Sequence, residues 1–540
     1  MSGTDGTVAE ALARRLAEYG VRRIFGVPGG DCSLDLIDAG ARTGIEFVAT
    51  RTETAAAIMA SVTAELTGTP GVLMTTRGPG LANAVNGIAY ASLDRAPLLV
   101  LADGHEPGAA HASHQRFDQA ALLRPLVKAE SSLAEADPVA ELDRLVAAAR
   151  GAPPGPVYVE LIGGRLRAKA PPATTAPVSP VAPAAMPDAA ALDAARAVLA
   201  GRRRPIIIAG LQAAEPEAAA ALRRLAAAWR CPVLTTYKAK GAADDADPMT
   251  VGCFIGGPSE EALIRAADAI LLFGADPVEF LPTPWRHAAP VVELTGHAFA
   301  HPFLTPAASV VGDLAAAARE LEAAAEAAWD EAAIAAARAG IRTAARAEAT
   351  ATNGIAPHRV VEAAAAAAPR ATRIAVDAGA HMLPVMALWE SHAPRDALIS
   401  RGLATMGSAL PAAIGASLAE PDRPVVAFTG DGGLMMCPAE LGTAVQAGCR
   451  NLVVVVFNDA AMSLIEVKQA RRGLAQRGMD YAPADFAAVA RGFGCEAWRV
   501  EEPAALEPAM RAAFACGRPA LVDVVVDRHA YHQVVRALRG

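Results

Sequence analysis

The sequence predicts an α/β protein made of three doubly wound parallel-sheet domains, and three observations carry that expectation. Short apolar runs of strand length alternate with helix-like stretches through each third of the 540 residues. That alternation marks βα units whose strands are buried on both faces. A chain of this length suits about three domains. Two changes of composition then divide it. Residues 171–187 hold six prolines and no charge; proline fixes φ and lacks an amide donor, so this stretch reads as an extended linker. Residues 314–353 are rich in Ala, Arg and Glu, a helical composition. The expected division is an N-terminal domain over 1–170, the linker 171–187, a central domain over 188–325, a helical connector over 326–354 and a C-terminal domain over 355–540.

In the first third, Thr7-x-x-Glu10 forms a capping box that opens an amphipathic helix. Strands are expected at 23–27, 46–50, 71–75 and 97–102, with a helix over 55–67. The central third offers strands at 205–209, 232–236, 269–273 and 290–294. The last third offers 373–376, 397–400, 425–429, 452–457 and 520–526.

Composition excludes several classes of function. With 57 acidic and 49 basic side chains the net charge is −8, which gives no bulk electrostatic attraction to nucleic acid. Apolar residues make up 53% of the chain and charged residues only 20%, so buried cores rather than disorder are expected. The seven cysteines are scattered, odd in number and without a CxxC, which points to a reducing, cytoplasmic location. The N-terminus lacks a basic segment followed by an apolar one, so it does not read as a signal peptide. The strongly apolar runs, such as 452–457, fall far short of the roughly 20 residues that span a bilayer. No membrane association is expected.

The chemistry concentrates in 424–465, PVVAFTGDGGLMMCPAELGTAVQAGCRNLVVVVFNDAAMSLI. It reads as strand, Gly430-Asp431-Gly432-Gly433 turn, helix, strand, then Asn458. Parallel strands end on one edge of a sheet, so Asp431 and Asn458 are expected to be neighbours. Glycines let backbone amides approach an anion at the positive end of the following helix. Asp431, Asn458 and a carbonyl from the next loop make a partial oxygen shell of the kind Mg²⁺ takes when it also holds phosphates. Taken alone, Gly-Asp-Gly is an ordinary tight turn; the spacing to the strand-then-Asn gives it meaning.

That spacing resembles the diphosphate–magnesium motif of thiamin-diphosphate-dependent enzymes, and further motifs extend the resemblance along the chain. Phe25-Gly26-Val27-Pro28-Gly29-Gly30, the run from Thr52-Glu53 to Ala60, and the run from Thr76 to Asn83 are similar to the pyrimidine-binding domain of the acetolactate synthase, benzoylformate decarboxylase and pyruvate oxidase superfamily. Asp377-Ala378-Gly379-Ala380-His381 and Gly402-Leu403-Ala404-Thr405-Met406-Gly407 are similar to its diphosphate-binding domain. The resemblance implies thiamin diphosphate and Mg²⁺ as cofactors and assigns roles. Glu53 falls at the glutamate that exchanges a proton with the aminopyrimidine ring and so promotes the ylid nucleophile; a helix dipole would favour an acid there in any case. Met406 falls at the apolar prop under the bent cofactor, and the Ala404 carbonyl accepts from its amino group. Ala380 and His381 approach the diphosphate with Gly430, Asp431, Gly432 and Gly433. Asp431, Asn458 and Ala460 are the implied metal ligands, and Met462 lies beside the cofactor. His114 and Gln115 belong to a loop that reaches toward substrate, where a histidine can shuttle protons; a solvent-facing polar pair would read the same way. The resemblance also implies a homodimer or homotetramer with active sites at the subunit interface, Glu53 from one chain facing Asp431 of another.

Several positions depart from a biosynthetic acetolactate synthase. Phe457 replaces the first of an Asn-Asn pair, Thr52 replaces a histidine, and Val467 stands where a tryptophan selects the acceptor. The stretch Gly274-Ala275-Asp276-Pro277-Val278-Glu279-Phe280 lacks the arginine of that branch. These departures put FAD binding and branched-chain amino-acid synthesis in doubt. The implied reaction is decarboxylation of a 2-oxo acid, small or aromatic, followed by transfer of the resulting acyl carbanion to a carbonyl acceptor. The alternatives are a simple 2-oxo acid decarboxylase, with His114 as proton donor, a flavin-coupled oxidase, and a catalytically silent cofactor-binding subunit. The joint presence of Glu53, Asp431 and Asn458 speaks against the last.

Overall fold

The computed structural model describes residues 6–106, 108, 113–171, 178, 184–281, 283–302, 304–347 and 354–540. Most of the proline-rich linker, and Asn353 at the end of the connector, lie outside the described residues. The chain forms two compact units. One comprises Met1–Ala182 with Leu410–Asp422 and Cys437–Arg450; the other comprises Pro183–Ala409 with Arg423–Met436 and Asn451–Gly540.

The first unit is built on strands β1 (Arg23–Gly26), β2 (Glu46–Ala49), β3 (Gly71–Thr75), β4 (Leu98–Asp103), β5 (Glu130–Ser131) and β6 (Val157–Leu161). All pair in parallel, in the order β2-β1-β3-β4-β6-β5. β3 and β4 are buried throughout. The helix Val8–Glu18 opens with the expected capping box, in which Thr7 N–H donates to Glu10 Oε2 at 3.0 Å and Glu10 N–H to Thr7 Oγ1 at 3.3 Å. The helix Glu53–Thr67 buries Ala55 to Val62 without a break, as a helix apolar on every side must. Small residues let the helix Pro79–Leu93 lie close against it: a Cβ on Gly87 would stand 2.5 Å from Ala57 Cβ and 2.6 Å from Thr54 O.

The second unit contains two sheets. The central one has β7 (Pro205–Ala209), β8 (Val233–Thr235), β9 (Thr250–Cys253), β10 (Ala269–Phe273), β11 (Val291–Thr295) and β12 (Ala308–Val311), ordered β12-β11-β10-β7-β8-β9. The C-terminal one has β13 (Arg373–Val376), β14 (Ala397–Ile399), β15 (Val425–Gly430), β16 (Leu452–Asn458), β17 (Glu496–Val500) and β18 (Ala520–Val525), ordered β14-β13-β15-β16-β18-β17. Every pairing is parallel. The third sheet therefore repeats the winding of the first, whereas the central sheet is wound as a dinucleotide-type fold. The three doubly wound parallel sheets match the expectation from sequence.

Five strands escaped the sequence reading. β5 is only two residues long. β6 carries Glu160 within its apolar run, and β9 carries a glycine. β12 alternates buried and exposed residues at a sheet edge, and β17 is half-buried over most of its length. None of these presents the unbroken apolar run that a strand buried on both faces requires.

Candidate active site

In the C-terminal sheet the chain leaves β13 for β14 on one side and returns to β15 on the other. Loops departing to opposite faces open a crevice at the carboxyl ends of β13 and β15, the position where doubly wound sheets bind ligands. Asp377 to His381 follow β13, and the Gly430 turn closes β15. A cavity of about 320 Å³ occupies this crevice, and Ala380, His381, Ala404, Met406 and Met462 line it together with Gly430, Asp431, Gly432 and Gly433.

Asp377 holds the crevice together. Its carboxylate is 1% exposed and accepts from Gly407 N–H at 3.0 Å, Ser408 N–H at 2.8 Å, Ala409 N–H at 3.2 Å and the hydroxyls of Ser408 and Thr429 at 3.0 and 2.8 Å. The loop carrying Ala404 and Met406 is thereby tied to the ends of two strands. Burial pushes the Asp377 carboxyl above its ordinary range, and the donors around it oppose that shift. A Cβ on Gly433 would lie 2.3 Å from Asp377 Oδ2 and 2.8 Å from Thr429 Oγ1, so no side chain fits at that point of the turn. The Gly433→Ala variant is expected to lose ~1–3 kcal/mol of stability and to weaken cofactor binding, read by thermal unfolding and by titration of thiamin diphosphate into the protein.

β15 and β16 run in register, with Gly430 opposite Phe457, and this makes Asp431 and the loop after Asn458 neighbours. Asp431 Oδ2 accepts from Asp459 N–H at 3.0 Å and Ala460 N–H at 2.6 Å. Its Oδ1 accepts from Gly432 N–H at 2.7 Å and Tyr481 O–H at 2.5 Å. The Asn458 amide nitrogen donates to Ala484 O at 2.9 Å and Asp523 Oδ1 at 2.8 Å. Both of its N–H groups are thus engaged, and the oxygen end of the carboxamide is left for a cation. Ala460 sits at φ 56°, and its carbonyl accepts from Tyr481 N–H at 3.1 Å, leaving one lone pair for a ligand bond. Asp459 is half-buried beside Asp431. Burial first, and the Asp431 charge second, raise its carboxyl well above the ordinary range, and burial raises Asp431 as well. Two acids held this close favour a cation between or beside them.

His381 is 4% exposed. Burial lowers its pKa to about 3, so it is a neutral ring at ordinary pH. It stacks on Phe457 with centroids 5.3 Å apart and planes inclined by 24°, which gives Phe457 a structural role. The His381 Nε2 is buried without a hydrogen-bond partner, in a cavity otherwise edged by glycine amides. That orphaned atom, the glycine cradle and the oxygen donors of Asp431, Asn458 and Ala460 fit a diphosphate with its divalent cation. Ala404 is held at φ 53°, a strained conformation for a residue with a Cβ.

The remaining site residues of the sequence reading lie in the first unit. Glu53 is the first residue of its helix and 7% exposed. Asn83 Nδ2 donates to Glu53 Oε2 at 2.5 Å, and Thr52 caps the helix by accepting from Ala55 N–H at 3.2 Å. Gln115 stands at φ 59°; its carbonyl would be 2.6 Å from a Cβ on Gly78. His114 and Gln115 are both exposed. Nearby, Gln119 accepts from Gly78 N–H at 2.8 Å and donates to Asp103 O and Tyr158 Oη at 3.2 and 3.1 Å, fixing the turn that precedes the helix Pro79–Leu93.

Sequence reasoning assigned no role to Asp377, Asp459, Tyr481, Asn83 or Gln119. Asp377 stood inside a motif and was the most readable of these. Tyr481 reaches Asp431 only through the folding-back of 478–482, for which the sequence holds no signal. Val467 is buried in the apolar core and does not line the cavity. No group of three or more His, Cys, Asp or Glu that could hold a metal occurs among the described residues; the donor set here is instead one carboxylate with an amide and a carbonyl.

Three family models match the chain. They are described as the thiamine pyrophosphate enzyme N-terminal TPP binding domain over residues 6–122, central domain over 192–321 and C-terminal TPP binding domain over 377–524. Among curated proteins, the chain is similar to a catabolic acetolactate synthase of Raoultella terrigena, 30% identical over 96% of this chain and 95% of that protein. An acetolactate synthase of Bacillus subtilis is 28% identical over 96% and 93%. A probable 2-ketoarginine decarboxylase of Pseudomonas aeruginosa is 31% identical over 97% and 94%.

Proposed function

The chain belongs to the thiamine pyrophosphate enzyme family, and from that premise we propose that it decarboxylates a 2-oxo acid and transfers the resulting acyl unit to a carbonyl acceptor. Thiamin diphosphate, when bound, supplies the electron sink that allows CO₂ to leave. In this reading the amides of Gly430–Gly433 and the neutral His381 hold its diphosphate, and Asp431, Asn458 and Ala460 hold Mg²⁺. Met406 and Met462 give the apolar contact that orients it. Glu53 moves the proton at the pyrimidine end, with Asn83 fixing its carboxylate.

The observation that supports an acceptor step is the cationic part of the cavity's wall. The lining includes Arg401, Lys468 and Arg539 together with Leu464 and Ile465. Arg401 is anchored through Nε, which donates to the Glu279 carbonyl at 2.8 Å, and its guanidinium lies 5.7 Å from the Tyr237 ring centroid. A fixed guanidinium recognises a carboxylate, so a second 2-oxo acid that keeps its carboxylate suits this wall better than a neutral aldehyde. The acetolactate synthases among the relatives agree with this choice.

As in the family arrangement implied by the motifs, the active enzyme is a homodimer or homotetramer with Glu53 and Asp431 of one site contributed by different subunits. Its location is cytoplasmic, in keeping with seven cysteines that form no disulfide among the described residues. No helix among the described residues is long and apolar enough to cross a membrane.

The test is CO₂ release from a panel of 2-oxo acids with thiamin diphosphate and Mg²⁺, with products identified by mass. A 2-hydroxy-2-acyl acid built from two 2-oxo acids is the expected product. A free aldehyde instead would make the protein a decarboxylase that uses the exposed His114 or water as proton donor. No CO₂ from any donor would sink the catalytic reading altogether.

A further inference from the structure

Glu440 lies a few residues beyond the Gly430 turn along the chain, and no role above requires it. It is nevertheless 0% exposed, a costly place for a carboxylate unless its oxygens are fully used. Its Oε1 accepts from Arg51 N–H at 3.1 Å, Thr52 N–H at 2.9 Å and Thr52 Oγ1 at 3.2 Å, and its Oε2 accepts from Thr443 Oγ1 at 2.7 Å. The backbone it grips is the segment that leads into Glu53. Thr52 Oγ1, which donates to Glu440, also accepts from Ala55 N–H at 3.2 Å and so caps the helix whose first residue is Glu53. On the same segment Thr50 Oγ1 donates to Thr52 O at 3.0 Å.

We propose that Glu440 is a positioning residue for Glu53: it orders the two residues preceding Glu53 and sets the rotamer of the helix cap, and so fixes the place from which the Glu53 carboxyl exchanges its proton. The inference rests on the reading of Glu53 as the cofactor's proton partner. A residue that only filled the interior would not need to direct both carboxylate oxygens at hydroxyls and amides. Interior volume could be filled without charge at lower cost. Gln at 440 keeps the volume but can accept through one oxygen only, and it turns an N–H pair toward donors.

The experiment compares the wild type with Glu440→Gln, Glu53→Gln and the double variant. Three quantities are read: hydrogen exchange of the Arg51 and Thr52 amides in the cofactor-free protein, the Kd for thiamin diphosphate with Mg²⁺, and deuterium exchange at the thiazolium C2 of the bound cofactor. Glu440→Gln is expected to speed exchange of both amides. It is also expected to slow C2 exchange by roughly tenfold or more, within the ~100-fold that a misplaced catalytic group can cost, with the cofactor Kd changed by less than about threefold. In the Glu53→Gln background it is expected to slow C2 exchange no further, because the two side chains act through one group. Should Glu440→Gln fail to fold, Thr443→Val, which removes one donor to Glu440 and keeps its charge, is expected to move the same readouts in the same direction by a smaller factor.

An unchanged C2 exchange in folded Glu440→Gln, or an additive loss in the double variant, would overturn the proposal. If wild-type protein bound no thiamin diphosphate, the functional reading would fail instead, and faster amide exchange at Arg51 and Thr52 would still report the clamp.

Discussion

Glu53→Gln is expected to lower turnover by about 10²–10⁴-fold, the range that a positioned proton donor or acceptor supplies, while the protein stays folded and binds its cofactor. Glutamine has the length of glutamate and keeps an oxygen for Asn83 Nδ2, now at 2.5 Å from Glu53 Oε2. What it lacks is a group that can take and return a proton. The structural cost is confined to the loss of a negative charge at a helix N-terminus, about 0.3–1 kcal/mol. Steady-state kcat and the thermal unfolding midpoint, measured on the same preparations, separate the two effects. A fall in kcat of less than tenfold with an unchanged midpoint would remove Glu53 from the proton path. A collapse of the midpoint would show that its contribution is to the fold.

Where the sequence was legible, the physics was local or was set by the sheet. The capping box at Thr7 and Glu10 needs only a spacing of three. Most strands of the three cores are unbroken apolar runs, and parallel pairing carries Asp431 and Asn458 to one edge however far apart they stand in the chain. The glycine turn was legible for a related reason: the backbone approach it makes leaves no room for a side chain, as Gly433 against Asp377 shows.

The less legible part of the site depends on partners chosen by tertiary folding. Tyr481 donates to Asp431 from a loop whose own sequence, Gly478-Met479-Asp480-Tyr481, could serve any surface turn. In the sequence Phe457 is only a departure from an Asn-Asn pair, whereas in the fold its ring stacks on His381. Glu440 sits in a helix of only seven residues, where an acid in the first turn is what the dipole favours unaided. Its hold on Arg51 and Thr52 spans 389 and 388 residues of chain and leaves no periodic trace. Residue types and sheet edges are written locally; the second partner of a buried hydrogen bond is not.

Asp431→Asn is expected to weaken Mg²⁺-dependent binding of thiamin diphosphate by at least about a hundredfold and to abolish turnover at ordinary cofactor concentrations. The Asp431 carboxylate accepts four hydrogen bonds, two from the amides of Asp459 and Ala460 and two from Gly432 N–H and Tyr481 O–H. An asparagine presents an NH₂ to one of those pairs, leaving buried donors facing donors, and it removes the charge that attracts the cation. Lost charged hydrogen bonds of this kind cost about 3 kcal/mol, which corresponds to the hundredfold change. Titration of the cofactor in the presence and absence of Mg²⁺ reads the effect, and an unaltered affinity would take Asp431 out of the metal site.

The same variant tests the assembly. If Glu53 and Asp431 of one active site belong to different subunits, co-expressed Glu53→Gln and Asp431→Asn chains form heterodimers in which one site carries both defects and the other carries neither. Random pairing makes half of the dimers heterodimers, so ~a quarter of wild-type sites would return from two inactive parents. If each chain carries its own complete site, every site holds one defect and no activity returns. The mixed preparation therefore distinguishes a shared site from a private one, because recovery requires an intact Glu53 and an intact Asp431 to meet across the twofold axis.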